Sequence, residues 1–315
     1  MKKYDIITFG SASEDVFVFS KEFFDKNLCF PIGDKIEMDK IIIRFGGGGV
    51  NAATTFALQG TRVAYCGSVG KDNAGLAIIL DLKKFRISTK FLESLDKKTT
   101  NHSVILSKQE EGKVILVYRN ASNYLPKNFS LKKMNADWFY LAPLGGEFAK
   151  KTKEIINFAH KNKIKIAFNP SKEQIKEFKK GIKNWLPKID VLILNGREAK
   201  MLFGDYRKIE EMFKKTKLHL KGLIVTAEKR RLIVFDGKNI YKGEENKTKV
   251  ADLTGAGDAF GSGFVSSFIK TNNIEKSLQF ASANASACVQ KWGTKEGLLK
   301  KGQKYKKVKV KVSRL

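Results

Sequence analysis

The chain has 315 residues, 42% of them apolar, with three cysteines and a formal net charge of +28. That length and apolar share suit one large core or two modest ones and exclude a disordered chain. Cys29, Cys66 and Cys288 are odd in number and widely spaced, which excludes a disulfide framework or a paired metal motif and makes a reducing cytoplasm the expected setting.

The charge invites a nucleic-acid reading, since clustered Lys and Arg neutralise phosphates. Here the lysines are scattered along nearly the whole chain. We therefore expect no specific nucleic-acid partner, only salt-sensitive, non-specific attraction. The opening MKKYDIITFG is interrupted by Asp5 and stops at Gly10, too short for a signal peptide or a membrane span, so no membrane partner is expected.

In chain order, Tyr4 to Phe9 is expected to be a first, buried strand that delivers Asp15 into the loop after it. Val16 to Phe19 and Lys35 to Arg44 look like strands joined by a loop containing Pro31 and Gly33. Gly46 to Gly49 form a turn that lets backbone approach a ligand, and a helix through Asn51 follows and ends near Gly60. Arg62 to Cys66 reads as a strand and Ala74 to Phe85 as a helix. His102 to Ser107 and Lys113 to Arg119 flank Gln109, Glu110, Glu111 and Gly112, a hairpin that must leave the main layer. Strands near Trp138 to Leu141, Ile164 to Phe168, Val191 to Leu194 and Leu223 to Thr226 then alternate with helices starting near Phe148, Ser171 and Arg197, as a mainly parallel sheet with crossover helices requires. Glu275 to Trp292 is a helix rich in Ala and Ser. Val308, Val310 and Val312 alternate with lysines, the pattern of an edge strand.

Ligands of such sheets gather at the carboxyl ends of the strands, where Asp15, Asn51, Asn169 and Asn195 fall. Asn195 and Glu198 sit at a strand-to-helix junction, facing one crevice or forming a capping box. Asn284 is either a surface amide or a contact to a ligand between the last two helices.

The densest chemical signal is Asp252 to Phe264, DLTGAGDAFGSGF. Gly255 and Gly257 let the N–H groups of Gly255, Ala256 and Gly257 turn around one anion. Asp258 would open a helix whose own unpaired N–H groups favour a phosphate. An Asp at a helix start is also an ordinary cap. Gly261 and Gly263 each cost a helix roughly 1 kcal/mol relative to Ala, which suggests a close approach to the backbone. A dinucleotide fingerprint fails because Phe260 stands where a third glycine is needed, and no Gly-Lys-Ser/Thr triplet for a P-loop occurs.

With FGGGGVNAA (Phe45 to Ala53), GSVGKDNAG (Gly67 to Gly75), the Asn195-Gly-Arg-Glu198 group and DLTGAGDAFGSGF in this order, the chain resembles the ribokinase-like, or PfkB, family of carbohydrate kinases over almost its whole length. The resemblance implies an α/β fold: a three-layer α/β/α domain over residues 1–315, with a mainly parallel central sheet and a small β-sheet lid from approximately 15–45 and 98–122. It implies Asp258 as catalytic base and Gly255, Ala256 and Gly257 as anion hole, with Asp15, Gly47 and Asn51 on the sugar hydroxyls. Asn195, Glu198, Thr226 and Asn284 fall among the positions for nucleotide. Glu198 serves Mg²⁺ through water, and Asp252 with Thr254 matches the region that holds a monovalent cation such as K⁺ in some relatives. ATP and a small sugar are the implied ligands, and the lid a homodimer contact.

Gly48 stands where relatives often carry Lys or Ala, which removes one charged substrate contact. Glu228 and Arg231 replace glycines near the expected nucleotide site. The leading expectation is ATP- and Mg²⁺-dependent phosphorylation of a small sugar or sugar acid, against a nucleoside kinase, a non-catalytic nucleotide or sugar sensor, and a basic nucleic-acid-binding protein. His102, His160 and His219 lack metal-ligand spacing.

Overall fold

The computed structural model describes residues 3–23, 32–108, 112–216, 222–228, 231–246 and 248–315. Its strands are β1 (Tyr4–Phe9), β2 (Ser13–Phe19), β3 (Lys40–Gly46), β4 (Val63–Gly70), β5 (Ser88–Leu95), β6 (Asn101–Lys108) and β7 (Gly112–Tyr118). They continue with β8 (Ala136–Leu141), β9 (Lys165–Phe168), β10 (Val191–Asn195), β11 (Leu223–Glu228), β12 (Arg231–Phe235), β13 (Asn239–Glu244) and β14 (Lys311–Arg314). Helices α1 (Gly48–Leu58), α2 (Asn73–Lys84), α3 (Gly146–Lys150), α4 (Thr152–Lys161), α5 (Lys172–Lys179), α6 (Ile182–Trp185), α7 (Gly196–Phe203), α8 (Ile209–Thr216), α9 (Ala256–Thr271) and α10 (Ile274–Cys288) lie between them.

A ten-stranded sheet has the order β14-β13-β12-β11-β10-β9-β8-β1-β4-β5, parallel from β5 to β11 and antiparallel beyond. Strand alternation sends successive side chains to opposite faces. Ile7, Phe9, Leu192 and Leu194 join a core with α4, α5, α7 and α8, whereas Ile6, Val191 and Ile193 join a second core with α1, α2, α9 and α10. Each such fully buried side chain contributes roughly 1.5–3 kcal/mol relative to exposure. Three layers result.

The second sheet, β3-β2-β6-β7, contains the hairpin expected outside the main layer; its turn, residues 109–111, lies outside the described residues, as do Cys29, Pro31 and His219. β6 and β7 pair from His102↔Tyr118 to Lys108↔Gly112. One face packs Phe17, Phe19 and Ile105 against Ile42 and Trp292. The other carries apolar rows such as Ile43, Val16, Val104 and Leu116, with Ile43 and Leu116 exposed.

Some boundaries differ from expectation. β3 begins at Lys40 rather than Lys35 because β2, its partner, ends at Phe19 opposite Lys40. α9 begins at Ala256, two residues before Asp258, since Gly255 at φ 80° supplies the cap. The tail strand is confined to β14, and it does lie at the sheet edge against β13.

Gly261 and Gly263 answer to protein. A Cβ on Gly261 would fall 3.1 Å from Ile193 and from the Tyr140 hydroxyl, and one on Gly263 would fall 3.2 Å from Asn284. The small residues thus let α9 lie close on the sheet and on α10.

Candidate active site

From β1 the chain moves outward to β4 and β5, then returns to β8 on the other side of β1. Two neighbouring strands therefore send their following loops apart, and a crevice opens at their carboxyl ends. The glycine run enters this crevice. Gly47 has φ 96°, and a Cβ on it would lie 2.5 Å from the Ser11 carbonyl oxygen, so only glycine lets α1 start so close to the end of β1. The Gly49 N–H donates to that carbonyl at 3.1 Å.

The start of α9 meets the start of α1 here. Gly255 sits in the left-handed region, and a Cβ on it would be 2.8 Å from Thr294. The first N–H groups of α9 have no acceptor within the helix; that of Ala256 makes a long bond of 3.3 Å to the Leu253 carbonyl. Space in front of Gly257 is open, with nothing within 4 Å of where its Cβ would be. A pre-formed set of donors facing open space suits an anion.

Asp258 lies in the first turn of α9. Its Oδ2 accepts from Asn51 Nδ2 at 2.8 Å, and Asn51 Oδ1 accepts from Thr294 Oγ1 at 2.7 Å. The relay fixes which way the amide points, so Asn51 donates to the acid and orients it. Burial pushes the Asp258 carboxyl above its usual range, opposed by the Asn51 hydrogen bond. The acid's other oxygen faces the crevice near Gly48, where a Cβ would lie 3.6 Å from Oδ1.

Asp15 reaches the crevice from β2 in the smaller sheet, not from a loop as expected. It is buried, accepts from Ser13 Oγ at 3.0 Å, and burial raises its carboxyl to about 6 despite Ser103, Ser13 and Lys295 favouring the charged form. Asp15, Gly47, Gly48, Asn51, Arg119 and Asp258 are among the residues around a cleft of about 210 Å³.

Asn195 and Glu198 form a complete capping box at the start of α7: Glu198 N–H donates to Asn195 Oδ1 at 2.9 Å, and Asn195 N–H donates to Glu198 Oε2 at 2.8 Å. Burial raises the Glu198 carboxyl, and the negative charge of Asp258 adds to that. Asn195 and Glu198 are not among the residues that line the cleft at Asp258. Among the described residues no group of three or more His, Cys, Asp or Glu could hold a metal ion. The donor set fits a Mg²⁺ that keeps most of its water and takes its other oxygens from a phosphate ligand.

Other expected contacts lie deeper. Thr226 is fully buried within β11, and its hydroxyl has no hydrogen-bond partner among the described residues. Asn284 is also fully buried; its Nδ2 donates to the Ala259 carbonyl at 2.8 Å and its Oδ1 accepts from Leu299 N–H at 3.0 Å. Its amide therefore ties α10 to α9 and to the following loop. Arg231 begins β12 opposite Glu228 in an antiparallel pair with β11.

Asp252 and Thr254 do come together, but the Lys113 ammonium from β7 already contacts both, bonding the Asp252 carboxylate and lying 2.7 Å from Thr254 Oγ1. The pair does not fit a monovalent ion in this arrangement.

α10 ends at Cys288 rather than at the expected Trp292, and the segment that follows supports the crevice. Trp292 packs on Phe17 and Phe19, Thr294 holds Asn51, Lys295 bonds Asp81, and Arg44 pairs with Glu296 at 3.2 Å. A Trp-Gly step followed by polar residues, with Gly293 at φ 106°, was the available signal.

A helix start, an oriented acid and a covering sheet at the switch point of a parallel α/β sheet make the layout of a small-molecule phosphotransferase. The profile described as pfkB family carbohydrate kinase matches residues 4–301, and the chain belongs to that family. It is 27% identical over 292 residues to an ATP-dependent 6-phosphofructokinase of Thermoanaerobacterium thermosaccharolyticum, covering 90% of this chain and 87% of the relative. It is 28% identical over 257 residues to a ribokinase of Lactococcus lactis, covering 81% and 82%. Its fold is similar to that of Arabidopsis thaliana ribokinase, solved with ribose and ATP, at a TM-score of 0.75 and 21% identity, covering 94% and 96% of the two chains. The ribokinase-like three-layer architecture with its smaller second sheet is thus established.

Proposed function

We propose that this chain transfers the γ-phosphoryl group of ATP to a primary alcohol of a small sugar or sugar acid. The observation that carries this reading is the Thr294–Asn51–Asp258 relay beside the start of α9. The ribokinase and phosphofructokinase relatives supply the acceptor class, and the ATP found with the Arabidopsis ribokinase supplies the donor.

In this mechanism Asp15 holds sugar hydroxyls, and Gly48 leaves room for the reacting carbon beside Asp258. Asp258 accepts the hydroxyl proton, its raised proton affinity bringing it closer to that of a useful base. The N–H groups at the start of α9 meet charge on the transferred phosphoryl oxygens. Glu198, kept in place by Asn195, would hold Mg²⁺ through water, and the ion would supply positive charge to offset that of the phosphates. Arg119 lines the cleft and favours an acceptor bearing a carboxylate or phosphate. The smaller sheet acts as a lid that excludes water.

A coupled assay of ADP release with ATP and Mg²⁺ across neutral sugars, sugar acids, sugar phosphates and nucleosides tests the reading. A sugar or sugar derivative should give the highest kcat/KM. A nucleoside in first place would make the chain a nucleoside kinase, and binding without ADP release across the panel would make it a sensor.

We place a contact between two copies on the outer face of the smaller sheet, where Ile41, Ile43 and Leu116 are exposed. Light scattering should give a dimer for the native chain and a monomer for Leu116→Lys; a native monomer would remove this contact.

A further inference from the structure

Asp252 is buried, with its side chain wholly inaccessible, while the Lys113 side chain that meets it is 26% exposed. Thr254 closes around the same carboxylate oxygen: its N–H donates to Asp252 Oδ1 at 3.1 Å and its hydroxyl donates at 2.8 Å. The other oxygen, Oδ2, is buried without a hydrogen-bond partner among the described residues. A carboxylate in such a place needs a cation, because an unpaired buried charge is far more costly than a paired one. The main chain beneath it is fixed, with Ala251 and Asp252 N–H both donating to the Val289 carbonyl at 2.7 and 3.1 Å.

The cation comes from the other sheet. Lys113 stands at the start of β7, paired with Ser107 of β6, so its position depends on where the smaller sheet rests. The residues it clamps lead straight into Gly255 and the first turn of α9. A cation at this point therefore holds the peptide groups that face the anion.

We propose that Lys113 is a built-in counterion that takes the place of a dissociable monovalent cation, so that phosphoryl transfer by this chain needs no K⁺. Lys113 is a positioning residue: it touches no reacting atom and acts through Asp252, Thr254 and the start of α9. It also makes the smaller sheet a structural part of the anion site. The turnover arm of this inference rests on the kinase reading; the folding arm does not.

The native full-length chain should turn over its sugar at the same rate in tetramethylammonium, Na⁺, K⁺ or NH₄⁺ chloride at matched ionic strength. Lys113→Met should lose roughly 100-fold in kcat in tetramethylammonium, as expected for disturbed electrostatic preorganisation, and recover at least about tenfold of it in K⁺ or NH₄⁺. Thermal unfolding gives a readout independent of substrate: K⁺ should raise the midpoint of Lys113→Met over that in tetramethylammonium and leave the native midpoint unchanged. Native activity that rises roughly tenfold or more with K⁺ would overturn the proposal, even if the variant does not fold. So would a folded Lys113→Met that ignores the identity of the cation in both assays, because a merely structural lysine predicts a loss without rescue. Cation-specific stabilisation of the variant with no turnover of any sugar would keep the inference and remove the kinase reading.

Discussion

Asp258→Asn is expected to keep the fold and to lose about 10²- to 10⁴-fold in kcat, the usual worth of a positioned general base, with KM changed little. The new amide is nearly isosteric, and its oxygen can still accept from Asn51 Nδ2, which donates to Asp258 in the native chain. What disappears is the group proposed to take the hydroxyl proton. Because burial raises the Asp258 carboxyl, the folded state holds its proton more tightly than the unfolded chain does. The charged acid is thus a destabilising element above its folded pKa, and the substitution should raise the melting temperature near neutral pH. Steady-state kinetics and thermal denaturation on the same sample check both halves. Near-native kcat would remove Asp258 from the role of base.

Asp15→Asn should act on binding. A carboxylate hydrogen bond is worth about 1.5–3 kcal/mol, so losing the charge toward two hydroxyls predicts a KM increase on the order of 100-fold, with a smaller change in kcat. The native enzyme should imitate this as it is acidified: with the Asp15 carboxyl at about 6, KM for the sugar should rise as pH falls below that value. Stability should move in the other direction. The folded pKa lies above the usual value of 3.8, so the folded state binds more protons between the two, and the cost of the buried charge grows as pH rises through that window. It is absent below the lower value and complete above the upper one. Asp15→Asn should therefore raise the melting temperature near neutral pH and have little effect below pH about 4. An unchanged KM profile through the acid range would detach Asp15 from the substrate.

Much of the fold was legible because local pattern and tertiary role agree. β1 coincides with the apolar run Tyr4 to Phe9, and the helix expected to start near Ser171 is α5, with Ser171 as its N-cap. β5 was not, since Lys90 and Glu93 interrupt its apolar pattern on a strand at the edge of the sheet. β12 and β13 were not read either; Arg231 opens β12 only three positions after Glu228 closes β11, and the two residues pair across the strands. The glycine run and DLTGAGD stood out because only glycine permits those backbone angles. Lys113 and Thr294 did not: each looks like any surface polar residue until a partner more than a hundred positions away is brought to it. The capping box at Asn195 was foreseen as one of two readings, and both of its hydrogen bonds are present.

The relay at the acid has one further consequence, for how the chain acquires activity during synthesis. Asn51 is 207 positions from Asp258 and 243 from Thr294. Contacts so remote in sequence form late, after the entropy of closing long loops has been overcome. A nascent chain that has made its glycine run, or even most of the parallel sheet, still lacks Asp258, the start of α9 and the threonine that orients Asn51. Partly folded forms are therefore catalytically silent, and turnover reports the completed molecule alone.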